Sequence, residues 1–228
     1  MTSLTFKLNA HLFLRDPQHT ELGQRIISRS VEMIDTLGFE HFTFKKLAEE
    51  INSTEASIYR YFENKHRLLQ YLVSWYWSWM EYKIEIATNS IQNPTERLKA
   101  SLKVITEEKK YDPSFEFIDE VALHRIVISE LDKTYLTKWV DQDNKEGLFG
   151  GFKSLCQKIG NIVVEVNADY QYPNSLISTV LLAAKQQLFF ASHLPSLTNI
   201  NNVSSPNETI HLFLEKLVFD TLNQKSDA

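Results

Sequence analysis

The sequence is sparing in the residues that cross-link and punctuate a chain. Cys156 is the one cysteine among 228 residues, which rules out an internal disulfide and fits a reducing compartment. On its own it reads as a small core residue. Six glycines and six prolines are too few for a turn-rich β fold and favour helices. No apolar run is long enough to cross a membrane. The opening MTSLTFKLNAHLFLRDP has neither a basic leader nor a small-residue cleavage site, so a cytoplasmic protein without membrane partners is expected. Catalytic signatures are missing too. Gly147, Gly150 and Gly151 are not followed by Lys-Ser/Thr and are not preceded by a strand, so they form no phosphate loop. With no nucleophile elbow and no metal cluster either, neither an enzyme nor a cofactor is expected. Asp119, Glu120, His124 and Glu130 superficially suggest metal ligands, but one histidine among carboxylates reads as an exposed ion-pair face.

What the chain does have is a distinctive stretch from Thr43 to Leu69, TFKKLAEEINSTEASIYRYFENKHRLL. Phe44, Leu47, Ala48 and Ile51 recur at helical spacing. Asn52-Ser53-Thr54 breaks the pattern with residues that favour turns and caps. Thr54 then stands as an N-cap, with Glu55 in the first turn. The helix that follows is too short to hold itself in water and must be docked, with Ile58 and Phe62 as anchors. Ser57, Tyr59, Arg60 and Tyr61 are left outward. Two short helices joined by a tight turn make a helix-turn-helix.

The segment resembles the DNA-binding domain of TetR-family transcriptional regulators. Thr43-Phe44, Leu47-Ala48, the run Ser57 to Phe62, Asn64-Lys65 and Leu68-Leu69 carry the likeness. The resemblance implies an all-α chain: a three-helix helix-turn-helix domain, then a larger helical domain for effector binding and dimerisation. The boundaries expected are an extension over residues 1–19, a DNA-binding domain over 20–66 and an effector and dimerisation domain over 67–228. It also implies a homodimeric repressor that binds a palindromic, double-stranded operator and is released by a small molecule.

Charge gives modest support. The net charge is −5. Over residues 1–75, nine Lys/Arg and nine Asp/Glu cancel, so the head is neutral and the remainder acidic. Affinity for phosphate must then come from local placement. Lys45 and Lys46 are expected to flank the groove. Thr54 caps the reading helix and can meet a phosphate. Ser57, Tyr59 and Arg60 are candidates for base contacts, Arg60 being suited to guanine. Glu55 would repel phosphate yet could accept from cytosine. Tyr61 and Lys65 match positions that hold the DNA backbone in the resembled family. The neutral head leaves a second reading open, a TetR-like fold that serves protein partners and reads no DNA.

Elsewhere, Thr20 caps a helix to about Leu37, stopped by Gly38. The extension over residues 1–19 is expected to pack on the domain or stay disordered rather than act as a basic arm, since only Lys7 and Arg15 are cationic. A long helix from Lys65 towards Asn89 carries an aromatic stripe, Trp75, Trp79 and Tyr82, which either lines a ligand pocket or fills a joint between domains. Such a pocket suits a hydrophobic or aromatic effector. Phe115 to Leu131 reads as a further helix. Leu197 to Pro206 is a polar loop. Two wide-faced apolar helices close the chain and suit a bundle between two copies, with Leu181, Leu188, Phe213 and Leu217 as dimer contacts.

Overall fold

In the computed structural model, residues 4–115, 117–200 and 205–223 are described; residues 201–204 of the polar loop lie outside them. The described residues form helices and turns only. The α-helices are α1 (Glu21–Leu37), α2 (Phe44–Glu50), α3 (Glu55–Tyr59), α4 (Lys65–Thr88), α5 (Pro94–Thr106), α6 (Glu120–Glu130), α7 (Asp132–Tyr135), α8 (Val140–Lys145), α9 (Gly150–Val166), α10 (Pro173–His193) and α11 (Pro206–Asn223).

The chain divides into two compact units. One joins Met1–Ser78 to Lys109–Phe152, and the other joins Trp79–Glu108 to Lys153–Ala228. The boundary expected near residue 66 falls inside the first of these units.

The first unit is built around α1. Thr20 Oγ1 accepts from the Gly23 backbone N–H at 3.1 Å and starts the helix. Gly38, at φ 77°, ends it by donating its N–H to the Ile34 carbonyl. Ile26, Ile27, Val31 and Ile34 point inward, where Phe42, Leu47 and Phe62 are also buried. α6 packs along α1.

The extension packs rather than reaching out. The Gln18 side chain holds both backbone groups of Phe6, at 3.2 and 2.9 Å. The Phe6 ring meets Phe115 at 5.4 Å and Trp75 at 5.2 Å. Leu12 is buried, and the Leu14 N–H donates to the Tyr61 carbonyl. Gly23 makes this seating possible, because a Cβ there would lie 2.3 Å from the Pro17 carbonyl oxygen and 2.6 Å from its Cα. Backbone cannot swing aside as a side chain does. Gly23→Ala is therefore expected to lift the extension and lower stability by about 1–3 kcal/mol, measured by urea denaturation. An unchanged midpoint would show that the extension contributes nothing.

The helix expected from Phe115 starts later. Phe115, Phe117 and Ile118 are buried ahead of the helix, and Asp119 Oδ1 caps α6 through the backbone N–H groups of Val121 and Ala122 at 2.9 and 3.0 Å. α6 does not carry the exposed ion-pair face read from its charges. Glu120 and Glu130 are buried, and His124 is half-buried with Nδ1 2.8 Å from the Tyr76 hydroxyl.

In the second unit α11 packs on both α10 and α5. The Asn207 side chain donates to the Thr106 carbonyl at 2.8 Å, and Lys158 pairs with Glu81 and Glu85. Of the expected dimer contacts, Leu181 is buried in the unit's own core. Leu188 and Leu217 are half-buried, and Phe213 is 47% exposed.

Candidate nucleic-acid interface

The reading segment is built from two capped helices. Thr43 Oγ1 accepts from the Lys46 N–H at 3.3 Å and opens α2. Asn52 adopts φ 49°, a left-handed conformation that asparagine tolerates better than most residues, and turns the chain between the helices. Thr54 Oγ1 accepts from the Ser57 N–H at 3.2 Å and lies 3.0 Å from Ser57 Oγ. α3 is pinned by Ile58, which is fully buried. Its other residues face out or lie at the edge. Tyr59 is exposed, its ring set edge-to-face on Phe44 with centroids 5.1 Å apart. Glu55 and Arg60 are exposed, Ser57 is half-exposed, and Lys45 is exposed on α2.

Three residues expected on the DNA side also make contacts within the protein. Tyr61 is buried, with its hydroxyl 2.8 Å from Thr20 Oγ1 and the Arg15 guanidinium over its ring at 5.4 Å. Lys65 donates to the carbonyls of Phe39, Glu40 and Phe42 at 2.9, 3.2 and 3.1 Å, so all three ammonium protons are engaged. Lys46 donates to the His41 carbonyl at 2.9 Å. Every carbonyl from Phe39 to Phe42 thus accepts from a lysine. Arg25 is tied to the Ile51 carbonyl, and Arg29 pairs with Glu32 and Glu50. Arg60 and Lys45 are left as the cations of α2 and α3 most open to a phosphate or a base edge.

The same unit contains a small apolar cavity. Val73 and Trp77 of α4, Leu131 before α7, and Leu148, Phe149 and Phe152 supply its apolar lining, with Gln70, Ser74, Thr134 and Tyr135 between them. Its free space is about 20 Å³, room for a single water. Most of its polar groups are already satisfied. Gln70 Nε2 bonds Asp143 Oδ2 at 2.8 Å and the Thr134 carbonyl at 3.3 Å. The Thr134 hydroxyl bonds the Leu131 carbonyl, and the Tyr135 hydroxyl bonds Asp132.

The stripe Trp75, Trp79 and Tyr82 does not line this cavity. Trp75 is enclosed by Phe6 and Phe115, and Trp79 and Tyr82 belong to the second unit. The lining of α4 is the neighbouring face at positions 70, 73, 74 and 77. No periodicity distinguishes it, because α4 is buried all round from Leu68 to Trp77.

Comparison with known proteins agrees with this architecture. Residues 26–72 match the family described as bacterial regulatory proteins, tetR family. A search of curated proteins found no match. Among solved structures, the fatty acid degradation regulator FadR from Bacillus halodurans superposes with TM-score 0.60 at 16% identity, over 84% of this chain and 96% of that one. AibR, solved with isovaleryl coenzyme A and operator DNA, gives 0.56 at 14% identity over 86% and 98%. The ketosteroid regulator KstR2 of Mycobacterium tuberculosis gives 0.50 at 13% identity over 91% and 97%. At these identities the likeness is one of fold, while the match over the helix-turn-helix is one of sequence. Over residues 26–72 the chain is thus similar in sequence to the tetR family of bacterial regulatory proteins, and over most of its length it shares the helical fold of the solved regulators above.

Proposed function

We propose that this chain is a cytoplasmic, homodimeric transcriptional repressor that binds a palindromic operator and releases it when an apolar small molecule binds. The observation that carries the reading is α3. It is a five-residue helix, held by Ile58, that presents Ser57, Tyr59 and Arg60 away from the core. A stability role would not need that outward set. One head spans only a few base pairs, so a two-fold pair about 34 Å apart is needed to read an operator. The half-buried and exposed apolar residues of α10 and α11, Leu188, Phe213 and Leu217 among them, form the surface for that pairing. FadR and AibR concern fatty acid degradation and isovaleryl coenzyme A. An acyl or similarly apolar group is the effector class that fits the lining of the cavity beside α4.

The test is a binding titration with duplex DNA flanking its gene, repeated across a salt series. Arg60→Ala is expected to lower affinity by about 10–100-fold and to relax sequence preference. Lys45→Ala should weaken all duplexes alike and reduce the salt slope by about one. Binding that depends on neither salt nor sequence would sink the reading and favour a head that docks on protein.

A further inference from the structure

The loop between α1 and α2, Gly38 to Thr43, is gripped from two sides. From α4 comes Lys65, as described. From α6 and α7 come Glu130 and Lys133. Glu130 Oε1 accepts the Phe39 backbone N–H at 3.3 Å. Lys133 Nζ bonds Glu40 Oε1 at 2.7 Å and ion-pairs with Glu130 Oε2 at 2.9 Å. The Phe39 ring lies under both ammonium groups, 4.6 Å from Lys65 Nζ and 5.7 Å from Lys133 Nζ. The loop ends at Thr43, the cap of α2, so its position sets α2 and, through the turn at Asn52, α3.

The same short stretch is a wall of the cavity. Leu131, Thr134 and Tyr135 line it, while Glu130 and Lys133, interleaved with them, hold the loop. The cavity has room for one water, so any larger occupant must displace a wall. The walls differ in strength. α4 and α9 run 24 and 17 residues. α7 has four residues and no side-chain cap, and a single turn has no stability of its own. It is the wall that yields.

Building on the proposed DNA-binding role, we infer that Glu130 and Lys133 are positioning residues: they latch the α1–α2 loop in the DNA-competent pose, and an apolar occupant of the cavity releases that latch by displacing α7. Neither residue touches DNA. The cavity and the latch lie within one compact unit, so the signal crosses a few ångströms of packed side chains.

A double-mutant cycle tests this. Lys133→Met removes the latch cation, and Glu40→Gln is the milder variant that only weakens its partner. Ser74→Leu overfills the cavity and stands in for a ligand. The readouts are operator affinity at several salt concentrations and hydrogen exchange of the Phe39 amide. Lys133→Met and Ser74→Leu are each expected to weaken binding about tenfold with an unchanged salt slope. Lys133→Arg should restore binding, and the double variant should be no weaker than the worse single one. Phe39 exchange should quicken in both. Unaltered affinity in Lys133→Met and Glu40→Gln, or log-additive effects of Lys133→Met and Ser74→Leu, would overturn the latch. Should the wild type show no salt-dependent DNA binding, the DNA-binding reading fails by itself. The exchange data then decide the latch: unchanged protection of Phe39 in both variants overturns it.

Discussion

Asp143→Asn is expected to cost about 3 kcal/mol of stability, the largest loss anticipated for a single conservative change in this chain. Asp143 is buried at the middle of a polar network between α4 and α8. Its Oδ1 accepts from Arg67 Nη1 at 2.9 Å and its Oδ2 from Gln70 Nε2 at 2.8 Å. Arg67 also reaches Gln70 Oε1 at 3.0 Å and Glu146 Oε2 at 3.2 Å, and the Asn9 side chain donates to the Glu146 carbonyl at 2.8 Å. Both partners of Asp143 are donors. An asparagine in either orientation sets its own NH₂ against one of them, and the arginine loses a formal counter-charge in a half-buried place. Denaturant titration of the variant beside wild type measures the loss. A difference under 1 kcal/mol would mean that Glu146 alone neutralises Arg67.

The second large effect is on pH. Burial pushes the Glu120 carboxyl up to about 7, helped by Asp112 and Asp119 and opposed by backbone N–H groups of Glu120 and Asp112. One turn along α6, burial first and then Lys109 and Arg125 hold the His124 imidazole down to about 3. The two act in opposite senses. Folded Glu120 keeps a proton that the unfolded chain releases near 4.5, so its contribution is complete below that pH and is lost as pH rises to about 7. Folded His124 refuses a proton that the unfolded chain takes near 6.5, so its contribution is complete above that pH and is lost as pH falls towards 3. Each slope is at most about 1.4 kcal/mol per pH unit. Between pH 4.5 and 6.5 they offset, and stability is expected to be nearly flat. Glu120→Gln should expose the histidine slope, with stability rising with pH across that window. His124→Asn, which keeps an acceptor for the Tyr76 hydroxyl, should expose the opposite slope. Thermal unfolding at half-unit pH steps distinguishes the three proteins, and parallel curves would sink the assignment.

The helix-turn-helix was legible because its signals are local. Thr20, Thr43 and Thr54 each cap a helix through a backbone N–H three residues ahead, and Gly38 stops α1 with a positive φ that glycine meets at little cost. What escaped depends on residues far along the chain. Lys65 reads as a phosphate contact until the carbonyls of the α1–α2 loop are seen to converge on it. Glu120 and Glu130 read as solvated charges, since nothing near them in sequence shows that α6 lies with those residues against buried surface. The cavity was hidden for a related reason: its lining comes from three separate stretches, and a helix buried all round has no polar face from which to infer the apolar one.

The compact unit that holds the reading head is discontinuous, and this bears on the order of events during synthesis. Trp75, Tyr71 and Leu69 emerge from the ribosome well before Phe115, Leu131 and Leu148, which are buried in the same unit. At ordinary elongation rates the delay between Ser78 and Phe152 is roughly 4–15 s. During it Phe6, Phe13 and Phe62 can already meet Trp75 and Tyr71, but the side of α4 that Phe115, Leu131 and Leu148 will cover stays open. A fragment cut after Ser78 would be left in that state permanently, so reading heads moved between proteins of this architecture should be transplanted with their Lys109–Phe152 cover.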